Sequence, residues 1–329
     1  MSDRLAELQA WLHDEIGLGD FTIAPASRDA SFRRYFRAIS GKTSHIVMDA
    51  PPDKEDCGPF LTVAAAMTGL GLNVPRILDA DLDRGFILMS DLGSLHYLQA
   101  LNERNVDRLY GDAMESLHLL QAAKVGDAPI PEYDHALLMR EMELFRDWYL
   151  ARHLQVPVSD VISEILNRIF TFLADEALAQ PRVWVHRDYH SRNLMVTESK
   201  NPGILDFQDA VIGPVTYDLV SLLRDCYVRW PHERVRQWLQ NYLAKGRLAG
   251  TLHGIEAKQF ERWFDLMGVQ RHLKASGIFA RLNYRDGKPG YLADIPRTLG
   301  YVAEISAFYP ELTPLRELLE RLAPTQSPR

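Results

Sequence analysis

At 329 residues the chain is long enough for two lobes, each with its own core. A composition of 47% hydrophobic and 25% charged residues excludes a disordered or fibrous chain, and a formal charge of −7 gives no chain-wide basic footprint for nucleic acid. The first residues are polar (Ser2, Asp3, Arg4, Glu7), so no signal peptide is expected, and no apolar stretch approaches the roughly 20 residues that span a bilayer, so no membrane partner is expected. Cys57 and Cys226 are far apart and read as two lone thiols rather than a disulfide or metal pair.

Leu5, Leu8, Trp11, Leu12 and Ile16 follow helical spacing, and Gly17 and Gly19 end that segment. Five β-rich pieces come next, at 21–23, 31–39, 44–48, 76–78 and 86–89, with an Ala-rich helix over 58–68 between the third and fourth. After Asp91-Leu92-Gly93 the pattern turns helical, over 105–123, 135–152, 158–178, 216–228, 232–248 and 255–273. Only short strand-like runs at 183–185, 194–196 and 203–205 interrupt it. These patterns predict an α+β, bilobal chain: a β-rich amino-terminal lobe over residues 1–91 and a mainly helical carboxy-terminal lobe over 92–329.

The strand-like interruptions frame the most informative segment. It reads His186-Arg187-Asp188-Tyr189-His190-Ser191-Arg192-Asn193, followed by Ile204-Leu205-Asp206-Phe207. A carboxylate, an amide five residues on and a second carboxylate thirteen beyond that are the parts phosphoryl transfer needs. Asp188 is the candidate base that orients an attacking hydroxyl. Asn193 and Asp206 are the candidate magnesium ligands. His186 is expected to pack beneath the loop and bond its backbone, and Phe207 to be core. Asp218 starts an apolar helical run and reads as support for the loop backbone. Asp209 is a candidate substrate contact.

Three further segments are less specific. Arg28-Asp29-Ala30-Ser31-Phe32-Arg33-Arg34-Tyr35 lies between two predicted strands and lacks glycines, so Arg33 and Arg34 are candidates to meet nucleotide phosphates; the alternative is a basic surface hairpin. Leu88-Met89-Ser90-Asp91 ends the β-rich part, where Met89 and Asp91 are candidates for the nucleotide base. The stretch 277–296 combines Arg281, Asn283, Tyr284 and Arg285, a set suited to sugar hydroxyls and a carboxylate, or else a solvated loop between helices.

Together these residues resemble the aminoglycoside phosphotransferase and choline kinase branch of the protein-kinase-like fold, over nearly the whole chain. Asp49-Ala50-Pro51-Pro52, Leu205-Asp206-Phe207-Gln208-Asp209 and Gly277-Ile278-Phe279-Ala280-Arg281-Leu282 look closer still to its amino-sugar kinases of bacterial cell-wall recycling. The resemblance implies ATP, magnesium, a cytoplasmic location and an N-acetylmuramate or N-acetylglucosamine acceptor phosphorylated at its anomeric hydroxyl. It also implies Asp188 as base and Asn193 and Asp206 as metal ligands. One departure is plain: such folds usually carry a Lys on the third strand paired with a Glu on the next helix. Here Ser44-His45-Ile46-Val47-Met48-Asp49 has no Lys and the Ala-rich helix no Glu. Three alternatives remain at this stage: a kinase for another small alcohol, a zinc hydrolase built on His186, Asp188 and His190, and a nucleotide-binding pseudokinase.

Overall fold

In the computed structural model, which describes residues 2–28, 32–126 and 129–322, five strands form one antiparallel sheet. They are β1 (Thr22–Arg28), β2 (Arg34–Ser40), β3 (Thr43–Asp49), β4 (Ile77–Asp81) and β5 (Phe86–Ser90), in the order β1-β2-β3-β5-β4. Val47 pairs with Phe36 on one side and Leu88 on the other, so strand alternation lines up apolar side chains on one face. Helix α1 (Ser2–Ala10) and the π-type turn that extends it over Trp11–Glu15 lay Leu8, Trp11 and Leu12 there, against Phe36, Ala38, Val47, Phe86 and Leu88. Asp49 is buried on the same face. Arg4 reaches it at 2.5 Å, and Arg34, directly across the ladder, pairs with its other oxygen at 3.0 Å through Nε.

Two glycine positions show how tightly elements approach. Gly85, at φ +74°, precedes β5, and a Cβ there would stand 1.9 Å from the Ala50 carbonyl oxygen. Only glycine lets the Ala50 N–H reach Gly85 O at 2.8 Å. The second is Gly277, which faces the Leu144 backbone. Helix α2 (Gly58–Gly69) buries Phe60, Val63, Ala64 and Met67, and Phe60 stacks on Phe207 with centroids 5.0 Å apart.

The rest of the chain is helical: α3 (Tyr97–Ala100), α4 (Val106–Gln121), α5 (His135–Leu144), α6 (Asp160–Leu178), α7 (Tyr217–Leu223), α8 (His232–Ala249), α9 (Ala257–Tyr284), α10 (Ile295–Ser306) and α11 (Thr313–Leu322). Two short ladders interrupt it, β6 (Arg182–Val185) with β9 (Val211–Pro214) and β7 (Leu194–Met195) with β8 (Gly203–Ile204). Among the described residues no helix is long and apolar enough to cross a membrane.

Compactness divides the chain into two units, residues 1–119 with 192–210, and residues 120–191 with 211–329. In the first, the inserted stretch is sewn to the sheet-bearing part. Val196 N–H donates to Leu95 O at 2.8 Å, Ile204 N–H to Asn73 O at 2.7 Å, and Asn201 to the Tyr97 hydroxyl at 2.7 Å. In the second, α9 runs through the core, with 28 residues that bury Asp265, Gln270, Arg271, His272 and Lys274 besides its apolar side chains. The expected end of this helix at 273 is corrected to Tyr284. Gly277 does not break it. A Cβ there would lie 2.3 Å from the Leu144 carbonyl carbon, so the glycine is where α9 meets the end of α5. Directly after Leu144 the expected helix over 135–152 widens into a π-type turn, Phe145–His153. The segment expected helical over 216–228 stops at Leu223, because Arg224 leaves helical geometry to pair with Asp265 at 2.6 Å. Cys57 and Cys226 are both buried free thiols.

Candidate active site

Residues 186–191 belong to the second unit, and their backbone is held from below. Asp218, buried in the first turn of α7, accepts from the His186 N–H at 2.6 Å and the Arg187 N–H at 2.9 Å. Burial pushes its carboxyl up to about 7, against the pull of those two N–H groups and Arg271. His186 is fully buried, and its Nδ1 accepts from the Asp188 N–H at 3.2 Å. Asp225 takes the Ser191 N–H at 2.9 Å. Arg187 sits at φ +78°, one of four non-glycine residues with positive φ among the described residues. A non-glycine residue so placed stores on the order of 1–3 kcal/mol of strain and persists only where its surroundings hold it.

Those surroundings are charged. Arg271 Nη2 donates to the Arg187 carbonyl at 3.2 Å. The Arg187 guanidinium pairs with Glu141, which also takes Lys274 Nζ at 2.9 Å. Burial would raise the Asp188 carboxyl, but Lys274, His190, Arg187 and Arg271 outweigh it and leave it below the usual carboxylate range. Burial holds His190 below its own ordinary value, so at neutral pH the three basic side chains carry this effect. Asp188 is thus an ionised acceptor at neutral pH.

Asn193 and Asp206 belong to the first unit. Asn193 Nδ2 donates to Asp206 Oδ2 at 3.1 Å, the Leu205 N–H donates to Asn193 O at 2.9 Å, and Gln208 Nε2 holds Asp206 Oδ1 at 2.8 Å. Asp206 also has positive φ, +63°. An amide oxygen and a carboxylate side by side are hard donors, and magnesium asks for few protein ligands because it keeps phosphate oxygens and water. The pair fits that ion. A zinc site fits less well: among the described residues no group of three His, Cys, Asp or Glu side chains is placed to hold a metal.

The other candidates fall as follows. Arg33 pairs with Glu55 at 3.3 Å, beside the start of α2, whereas Arg34 is engaged with Asp49 on the face that α1 covers. Asp29, Ala30 and Ser31, in the middle of that expected loop, lie outside the described residues. Met89 is buried on β5 opposite Ile46. The Asp91 carboxylate accepts from Arg37 at 2.6 Å, Ser44 at 2.5 Å and the Gly93 N–H at 2.9 Å. Burial would raise it; those bonds leave it below the usual range. Asp209 is exposed. Arg281 and Arg285 lie at the end of α9, not in the loop weighed as one reading of that stretch. Arg285 is bound to its neighbour Asp286 at 2.7 and 3.0 Å. Arg281 is half-buried, and its Nε has no hydrogen-bond partner among the described residues.

Sequence reasoning did not single out Glu141, Asp225, Arg271 or Lys274. A signal existed for Glu141: it interrupts the buried stripe Leu138, Met142, Phe145 at helical spacing. Arg271 and Lys274 likewise follow Phe260, Phe264 and Met267 along the buried side of α9.

Comparison with known proteins puts these residues in company. The model of the phosphotransferase enzyme family matches residues 22–257. The chain is 49% identical, over 98% of each chain, to a protein of Pseudomonas aeruginosa named N-acetylmuramate/N-acetylglucosamine kinase. It is 46% identical to one of the same name from Pseudomonas putida, over 97% of this chain and 96% of that one. Solved structures share the fold at low identity. A choline kinase from Streptococcus pneumoniae has a TM-score of 0.62 at 13% identity, covering 91% of this chain and 99% of that one. An ADP-bound aminoglycoside phosphotransferase has 0.59 at 16% identity, covering 91% and 98%. The matched stretch takes in the sheet from β1 onward, the loop of Asp188 and the Asn193–Asp206 pair alike, and the chain belongs to the phosphotransferase enzyme family.

Proposed function

We propose that this chain is an ATP-dependent sugar kinase that phosphorylates the anomeric hydroxyl of N-acetylmuramate and N-acetylglucosamine, giving the sugar 1-phosphate, in cytoplasmic recycling of cell-wall sugars. The observation that carries the reading is identity of 42–49% over nearly full length with three proteins named as kinases of these two sugars. Asp188 takes the proton of the hydroxyl while its oxygen forms a bond to the γ-phosphorus, and the bond from that phosphorus to the β-bridging oxygen breaks to release ADP. An anomeric hydroxyl is more acidic than an ordinary alcohol, since the ring oxygen withdraws charge from the same carbon. A carboxylate kept ionised by Lys274, Arg187 and Arg271 therefore suffices as acceptor, and placement supplies the rest.

Asn193 and Asp206 would hold magnesium, which when bound neutralises the triphosphate. Arg33, rather than Arg34, is the better placed of the two for phosphates, since Arg34 is committed to Asp49 with α1. At the end of β5 the Asp91 side chain is occupied by Arg37, Ser44 and Gly93, which leaves backbone groups and Met89 for the nucleotide base. Arg281 is the candidate for the lactyl carboxylate of N-acetylmuramate, in preference to Arg285, which Asp286 already occupies. Asp209 is a candidate for a sugar hydroxyl. Phosphorus NMR of the product tests the reading. Both free sugars should yield a sugar 1-phosphate, and their 1-O-methyl glycosides should remain unreacted. Transfer to a methyl glycoside at a comparable rate would place the phosphoryl group on another hydroxyl.

A further inference from the structure

We propose that Glu141 is a positioning residue for the transfer step, fixing the loop of Asp188 through Arg187 and Lys274. Glu141 is a carboxylate on the apolar stripe of α5, and its side chain bonds to Arg187 on the loop, Lys274 on α9 and Tyr133. One oxygen takes the Arg187 guanidinium and Lys274 Nζ, at 2.9 Å for the lysine. The other takes the Tyr133 hydroxyl, which in turn accepts from Gln270 Nε2 at 3.3 Å. Lys274 continues to the Tyr217 hydroxyl at 3.0 Å, and the Arg271 guanidinium lies over the Tyr217 ring, 4.7 Å from its centroid. Tyr217 directly precedes Asp218, which carries the loop from below.

Arg187 is thereby held at three points: its N–H by Asp218, its carbonyl by Arg271 and its guanidinium by Glu141. It is also the residue in left-handed geometry immediately before the base. Burying a carboxylate between two cations is a poor way to gain stability, because well-packed apolar side chains do as well or better. The arrangement is accounted for by what it fixes, the peptide that aims Asp188, since a displacement of about 1 Å at a reacting group can lower a rate about 100-fold.

The inference rests on Asp188 being the base, and Asp188→Asn, run alongside, separates the two. In Glu141→Gln the side chain keeps its volume and loses its charge. The expected result is a folded protein, by far-UV circular dichroism, whose kcat falls at least about tenfold while KM for ATP and for N-acetylglucosamine each stay within about twofold. Tyr133→Phe removes only the hydroxyl on the second carboxylate oxygen and should lower kcat severalfold with the same unchanged KM values; it decides the matter if Glu141→Gln does not fold. A wild-type kcat in the deciding variant, or a loss that appears mainly in either KM, overturns the role of Glu141. An active Asp188→Asn overturns instead the reading on which it rests.

Discussion

Two carboxyls, one on the loop and one in the helix turn that holds its backbone, are driven in opposite directions. Lys274, Arg187 and Arg271 face Asp188 and keep it ionised below the usual carboxylate range, whereas burial lifts Asp218 to about 7. For Asp188, depressed in the folded state, the linked stability is present above its unfolded value of about 3.9 and is lost as pH falls through the folded one. For Asp218 the sign is reversed: stability tied to its neutral form is complete below about 3.9 and is lost as pH rises through about 7. A limb in kcat near neutrality should therefore belong to Asp218 and disappear in Asp218→Asn. If it persists there, the limb belongs to another group and the assignment to Asp218 fails. Asp188→Asn should keep the fold and nucleotide binding and lower kcat by roughly 10²–10⁴-fold, the usual contribution of a positioned base. Turnover near the wild-type rate would remove Asp188 from that role.

At the level of elements, α9 is where sequence patterning and structure part company. Its first half shows helical spacing, but Gly277 and the polar group after it resemble a stop signal in isolation. What accounts for the glycine is the close approach of the Leu144 backbone, a contact between segments far apart in the chain that no local pattern encodes. The same reason hides Glu141, Arg271 and Lys274, whose significance depends on α5 and α9 meeting at one loop. Asp188, Asn193 and Asp206 could be put forward from sequence because phosphoryl-transfer chemistry expects such a spacing within a single stretch, and of these the structure pairs Asn193 with Asp206. The five strands were legible too, as short β-rich runs, although β9, four residues ending in Gly-Pro, was not. Gly277→Ala offers a test in which the sign decides. On a free helix surface the change would stabilise by about 1 kcal/mol. Against Leu144 it should destabilise by about 1–3 kcal/mol, seen as a lower urea midpoint at unchanged slope.

For the molecule as a whole, ligand linkage gives the broadest check on the metal assignment. Magnesium-ATP at about 100 times its Kd should add about 2.7 kcal/mol to the stability of the native state and raise Tm accordingly. In Asp206→Ala the magnesium-dependent part of that rise should vanish, with any shift from free nucleotide left in place. A full magnesium-dependent rise in the variant would place the metal elsewhere. The division of the chain has a different consequence, in the order of synthesis. The first unit is not finished when residue 119 leaves the ribosome, because it also contains 192–210. Asn73 and Leu95 must wait for Ile204 and Val196, whose N–H groups they accept. At about 5–20 residues per second, the whole of 120–191 is made during that wait. The amino-terminal part therefore spends several seconds with carbonyls exposed that the finished protein covers. Neither unit can be released as an unbroken piece of chain by one proteolytic cut, and a nascent chain arrested before residue 204 would be a substrate for chaperones rather than a folded first half.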